Sequence, residues 1–100
     1  MESKFWIEKG WGDSSDNVNY NHVEEAILQI SEIDDEHGAF WIGNYENENI
    51  LEVHKDLKVF YVCEENQNQQ KVLQLFNWNE VKNFFSLFLN EDYKQLSDKF

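Results

Sequence analysis

The sequence predicts a single α+β domain, an antiparallel β-meander of four to five strands packed with two helices. The chain has 100 residues, of which 41% are hydrophobic, and this suits one compact core. Four strand-like patterns lie between residues 39 and 76, and their connections are short enough to join only antiparallel neighbours. Helical patterns flank this run on both sides. We therefore treat residues 1–100 as one domain.

The first predicted element is a short strand at residues 4–8, in which Phe5 and Ile7 share one face and Trp6 takes the other. The next stretch, GWGDSSDNVNY, is small and polar, which predicts a loop. A helix is expected to begin after Asn21, because Glu24 completes a capping-box pattern three residues later. The apolar residues at helical spacing are Val23, Ala26, Ile27, Ile30 and Ile33.

Four strands are predicted next, at residues 39–43, 49–54, 57–63 and 71–76. The third, LKVFYVC, is apolar on both faces, which predicts a central place in the sheet. In the second, Leu51 and Val53 alternate with Glu52 and His54. This alternation predicts a sheet face that is open to solvent or to a partner.

The chain is predicted to end in a helix that lies on the sheet. Asn77 and Glu80 repeat the capping pattern. The apolar stripe that follows consists of Val81, Phe84, Phe85, Phe88 and Leu89. The tail EDYKQLSDKF either adds a last helical turn or frays.

The charge of the chain narrows its possible partners. Twenty acidic residues against eight basic residues give a net charge of −12, and every basic residue is a lysine. Residues 1–54 carry −11 (13 acids, 2 lysines), whereas residues 55–100 carry −1 (7 acids, 6 lysines). Without arginine, the usual ligand for phosphate and bases, we expect no binding to nucleic acid. Charge repulsion likewise argues against binding to an anionic membrane.

No catalytic, metal or cofactor site is recognisable. The carboxylate pairs Asp34/Asp35 and Glu46/Glu48 lie in polar segments, where a solvated surface is the simpler interpretation. The single cysteine, Cys63, lies in the most apolar strand and is expected to be core. We therefore expect a protein that is not an enzyme and that holds no cofactor.

One stretch has the spacing of a calcium loop. Its oxygen-bearing side chains occupy loop positions 1, 3, 5, 7, 9 and 12, namely Asp13, Ser15, Asn17, Asn19, Asn21 and Glu24. Val18 stands at position 6, where such a loop needs glycine, and no amphipathic helix precedes it. We interpret the spacing as chance in a region rich in Asn and Asp.

An acidic stretch with aromatic side chains is the candidate binding site. Between Gly10 and His54 the chain carries acids but no lysine or arginine. The residues assigned to a partner-binding surface are Asp34, Asp35, Glu36, Trp41, Tyr45, Glu46, Glu48 and Glu52. Aromatic rings supply buried area at interfaces, and carboxylates attract a basic partner. The alternative is a merely solvated face, with the rings closing small apolar clusters.

The order of these elements resembles a known family. A strand, an acidic helix, the strand GAFWIG, the stretch ILEVHKDLKVFYV and a closing LFNW are similar to bacterial immunity proteins of polymorphic toxin systems, including contact-dependent growth inhibition. The resemblance covers residues 20–78. It implies a protein that binds one cognate toxin, often a nuclease or deaminase, and blocks it, either in the active site or beside it.

Charge and resemblance together predict a cytoplasmic, monomeric inhibitor that binds a basic toxin domain in a 1:1 complex. The N-terminal segment MESKFWIEKG lacks the features of a secretion signal, which also favours the cytoplasm. Three alternatives stay open. The protein could mimic DNA and inhibit a defence nuclease, serve as an acidic adaptor without a toxin partner, or act as a small enzyme or metal-dependent regulator through residues 13–24.

Overall fold

The computed structural model describes residues 4–46, 49–62 and 70–100. Within these ranges the chain forms six strands and three helices. They are β1 (Phe5–Lys9), β2 (Ser14–Asp16), α1 (Tyr20–Ile30), β3 (Ala39–Asn44), β4 (Ile50–His54), β5 (Lys58–Val62), β6 (Lys71–Gln74), α2 (Trp78–Leu89) and α3 (Tyr93–Asp98).

The strands form one antiparallel sheet in the order β2-β1-β3-β4-β5-β6. The predicted α+β class and the meander of β3 to β6 are therefore confirmed. The sheet has one strand more than the four to five expected, and α3 is a third helix. In the described residues none of the three helices has the length and apolar character that crossing a bilayer requires.

The additional strand, β2, lies in the stretch that was predicted to be a loop. All three of its side chains are exposed, and its residue Ser15 pairs with Ile7 of β1. The Lys9 amide donates to the Asp13 carbonyl at 2.8 Å, and Gly12 has a φ of +113°, a value that suits glycine in this turn. An edge strand without a buried face needs no apolar alternation, so the sequence pattern gave no sign of it.

The LKVFYVC strand, predicted to be central, is an interior strand that pairs on both sides, although it is not one of the middle two. It forms β5, which is the second strand from the β6 edge, while β3 and β4 occupy the middle. Val59 and Tyr61 are buried under the helices, and Phe60 is half-buried on the other side of the sheet. Its apolar character on both faces therefore reflects an interior position with one face under the helices and one apolar face that no described helix covers. Cys63 lies outside the described residues.

The core lies between the sheet and the three helices. Phe40 of β3 packs against Phe85 of α2 with ring centroids 5.3 Å apart, and Phe5 packs against Phe88 at 5.8 Å. The predicted core residues Phe84, Phe85 and Phe88 are all buried. The helices also supply the buried apolar residues Val23, Ala26, Ile27, Ile30, Val81 and Leu96.

The two long helices begin at asparagine caps. For α1 the cap is Asn19, two residues before the predicted Asn21, and His22 completes the capping box. For α2 the cap is Asn77 as predicted, since its side chain accepts from the Glu80 amide at 2.9 Å. These caps define where the two helices begin, and the apolar stripe of each helix is buried.

Candidate functional site

The side of the sheet that faces away from the helices is the candidate site, and we call it the open face. No helix among the described residues covers it, because the core of all three helices lies on the opposite side. Its side chains are all half-buried or exposed. They are Ser14 and Asp16 of β2, Trp6 and Glu8 of β1, Trp41 of β3, Ile50, Glu52 and His54 of β4, Lys58, Phe60 and Val62 of β5, and Val72 and Gln74 of β6.

Strand register places each acid of the open face beside a tryptophan. Trp41 is paired with Glu8 of β1 on one side and with Glu52 of β4 on the other. Trp6 is paired with Asp16 of β2. Directly paired residues have Cβ atoms about 4.5–5.5 Å apart, so each carboxylate can reach the edge of its neighbouring indole. We call the row Glu8, Trp41 and Glu52 the acid–tryptophan row.

Glycine at position 43 makes room for the second tryptophan. Gly43 is buried and is the β3 partner of Trp6. A Cβ built on Gly43 would overlap the indole of Trp6, so the ring lies directly over the glycine backbone. Trp6 therefore stands beside Trp41 on the open face, because its partner in β3, Gly43, is two residues from Trp41.

Two hydrogen bonds hold polar groups in place around these rings. The Tyr45 hydroxyl donates to the Asp16 carboxylate in a short contact, which raises the pKa of Tyr45 because the bond favours the neutral phenol. His54 Nε2 lies 2.5 Å from Glu52 Oε2, and its ring packs on Phe60 with centroids 4.7 Å apart. The carboxylates of Asp16 and Glu52 are thus oriented before any partner binds.

One basic side chain of the described residues contacts an acid of the open face, namely His54 at Glu52. No lysine of the described segments forms an ion pair with Glu8, Asp16 or Glu52. Elsewhere lysine is used internally, since Lys4 contacts both Glu91 and Glu46. Hydrogen bonds to these two carboxylates raise the pKa of Lys4, and the bond to Glu91 has the larger effect.

Four of the predicted surface residues lie on the open face or at its rim. Trp41 and Glu52 are direct cross-strand partners. Tyr45 and Glu46 follow β3 in the turn at its end, and both are exposed. Glu46 accepts from Lys4 at 3.3 Å and is therefore partly neutralised. Glu48 lies outside the described residues.

The other three predicted residues lie at the opposite end of β3. Asp34, Asp35 and Glu36 precede the strand, so about 17 Å of extended chain separates them from Tyr45. Asp34 accepts from the His37 amide at 2.9 Å and contacts the His37 ring, and these bonds lower the pKa of Asp34. The acids from 32 to 52 therefore do not form one compact cluster.

Three residues of the open face were missed by sequence reasoning. Trp6, Glu8 and Asp16 join the site through the pairing of β1 with β2 and β3. The alternation in FWIEK was the available signal, since it placed Trp6 opposite the buried Phe5 and Ile7. Nothing local indicated which strands would lie beside it.

The described residues offer no recognisable metal site. In residues 4–46, 49–62 and 70–100 no three His, Cys, Asp or Glu side chains gather in a way that could hold a metal ion. The stretch with calcium-loop spacing folds into strand β2 followed by the start of α1.

Comparisons with protein-family models, with curated proteins and with solved structures find no match for this chain.

Proposed function

We propose that this domain is an immunity protein, which binds a cognate toxin through the open face and neutralises it without catalysis. The observation that carries the proposal is the alternation, across strands β2, β1, β3 and β4, of tryptophans with acids that form no ion pair with a described lysine. The toxin is a nuclease or deaminase with a basic cleft. Inhibitor and toxin form a 1:1 complex in the cytoplasm.

Electrostatics supports a basic partner. Among the described residues, the open face carries three acids, Glu8, Asp16 and Glu52, and one lysine, Lys58. Complementary charge can raise association from about 10⁵–10⁶ to 10⁸–10⁹ per molar per second at low salt. Fast association matters for an inhibitor that must capture a toxin before the toxin acts.

The aromatic side chains supply the apolar part of the interface. Tryptophan dominates binding energy at many protein interfaces, because a large ring loses little conformational entropy when it is buried. The projected sheet measures about 24 Å across its strands and 17 Å along them, or roughly 400 Å². A standard interface buries about 800 Å² on each partner, so the turn with Tyr45 and Glu46 must extend the contact.

The resemblance to immunity proteins supports the same function. Toxins that act on nucleic acid bind phosphate in a basic cleft, and an acidic protein surface can occupy that cleft. Mimicry of DNA toward a defence nuclease would use the same attraction. An immunity protein and a DNA mimic differ in the protein that they inhibit, and experiment can distinguish them.

The test uses the product of the gene directly upstream of this one, because an immunity gene is expected to lie directly downstream of its toxin gene. Bacteria that express that toxin are expected to survive only when this chain is co-expressed. The variant Glu8→Lys with Glu52→Lys is expected to lose protection. The matched control, Glu24→Lys with Glu25→Lys, changes the same amount of charge on the exposed surface of α1 and should still protect.

Three outcomes would contradict the proposal. Equal protection by both variants would remove the open face from the interface. Absence of protection by the native chain, with inhibition of a restriction nuclease instead, would favour a DNA mimic. A complex whose affinity does not change between about 50 and 500 mM salt would favour an adaptor without electrostatic recognition.

A further inference from the structure

We infer that the acid–tryptophan row is a seat for one arginine side chain of the partner, with the guanidinium stacked on Trp41 between the carboxylates of Glu8 and Glu52. This inference rests on the proposed function and specifies the chemistry of the binding partner at the same face. It concerns a single contact, and it can therefore fail while the inhibitory role stands.

The geometry of the row suits a flat cation. Trp41 is flanked by Glu8 in β1 and by Glu52 in β4, so the two carboxylates stand on opposite sides of one indole. All three side chains project to the same face of the sheet. A planar group laid on the ring has its edges directed toward both acids.

Guanidinium matches this arrangement better than ammonium does. Arginine carries five N–H donors in one plane, and it can stack on an aromatic face while donating from its edges. The lysine ammonium is a compact, strongly hydrated charge that cannot stack in this manner. Two flanking carboxylates around one ring therefore discriminate between the two basic residues.

No lysine of the described residues occupies the seat. Within the part of the chain that the structure describes, the cation–π contacts are those of Lys9 with Trp11 and of Lys99 with Phe84, at 5.9 Å each. Lys58, the lysine of the open face, is paired with Gln74 of β6 and lies diagonally from Glu52. Glu52 contacts the His54 ring, whereas Glu8 forms no ion pair with a described lysine, so the row can still bind an external cation.

Neighbouring groups fix the row in position. Glu52 is held by His54 at 2.5 Å, which orients its carboxylate at the edge of the row. Trp6, seated over Gly43, stands beside Trp41 and limits the space open to the incoming side chain. A site that is arranged in advance loses less entropy when its ligand binds.

The test compares two probe peptides, hexa-arginine and hexalysine, by calorimetry at about 150 mM salt. The native chain is expected to bind hexa-arginine at least about ten-fold more tightly than hexalysine, because only guanidinium combines stacking with edge donation. Equal affinity for the two peptides would overturn the inference.

Matched variants test which side chains produce the preference for arginine. Glu8→Gln with Glu52→Gln keeps side-chain size, and it is expected to abolish the arginine preference. Trp41→Leu is expected to do the same, with circular dichroism as the check on folding. Glu24→Gln with Glu25→Gln on α1 should keep the preference, and an equal loss in this control would overturn the inference.

The peptide assay and the toxin assay fail independently. Protection from the toxin without any arginine preference would reject the seat and leave the immunity function. An arginine preference without protection would keep the seat and reject the toxin as partner.

Discussion

The two faces of the sheet are built from the same strands and differ in what covers them. On the helix side, Phe40, Ile42, Leu51 and Val53 each have 0% of their surface exposed. On the open face, the side chains that alternate with them stay half-buried or exposed, and Val72 has 50% of its surface exposed. Stability therefore depends mainly on one face, which leaves the other free to carry binding groups.

The difference also concerns chemistry. The covered face is mostly apolar, because a buried charge without a partner costs several kcal/mol. The open face mixes tryptophan with carboxylate in direct cross-strand pairs. Such a mixture contributes little to folding and suits a surface that binds a charged partner.

The largest difference in stability between the two faces is expected when a phenylalanine of each is replaced by alanine. Phe85→Ala removes a fully buried ring from α2 and should lower the free energy of unfolding by about 3–5 kcal/mol. Phe60→Ala removes a half-buried ring from the open face and should cost roughly 1 kcal/mol. Urea unfolding followed by circular dichroism measures both, and equal losses would contradict the division between the faces.

A smaller loss of stability is expected at Gly43, where the indole of Trp6 packs on the glycine backbone. Gly43→Ala should cost about 1–3 kcal/mol, because the new methyl group displaces the indole of Trp6. In a Trp6→Ala background the same substitution should cost much less, since the overlap is gone. A double-mutant cycle measured by urea unfolding tests this coupling, and additive losses would show that the ring does not depend on the glycine.

The smallest expected effect is a change in the pKa of His37, which forms an exposed pair with Asp34. A hydrogen bond with Asp34, followed by the attraction between the two charges, raises the pKa of His37 above its ordinary value of 6.5. Asp34→Asn should return this pKa toward 6.5, whereas Asp35→Asn, the matched control, should change it less. Titration of the His37 ring by NMR measures both variants, and equal shifts would contradict a specific pair.

The same pair predicts a pH window for stability. The raised pKa of His37 contributes stability below about 6.5 that is lost as the pH rises through the folded value. The lowered pKa of Asp34 contributes stability above about 3.8 that is lost as the pH falls through its folded value. The contribution of the pair should therefore be greatest between these two values, as thermal melts of native and Asp34→Asn protein would report.

Much of the fold could be predicted because its signals are local. Asn77 and the phenylalanine stripe after it define α2 through one cap and one helical period. The alternation of Leu51 and Val53 with Glu52 and His54 identified the orientation of β4 and an open face. Strand β2 was missed because an exposed edge strand carries no apolar pattern.

The candidate site was harder to predict. Trp41 and Glu52 were both identified, and they proved to be neighbours in the sheet. Asp34, Asp35 and Glu36 are close to them in sequence, but they lie beyond the start of β3. Closeness along the chain is a poor guide here, because a strand carries its two ends far apart.

The sequence by itself determined the class of the fold, the acidity of the first half of the chain and the two faces of each strand, since charge, caps and alternation act over a few residues. Only the tertiary structure decided that Glu8, Trp41 and Glu52 form one row, because these residues are 33 and 11 positions apart. Their meeting depends on strand order and register, which are set by how the whole sheet buries its apolar face against the helices.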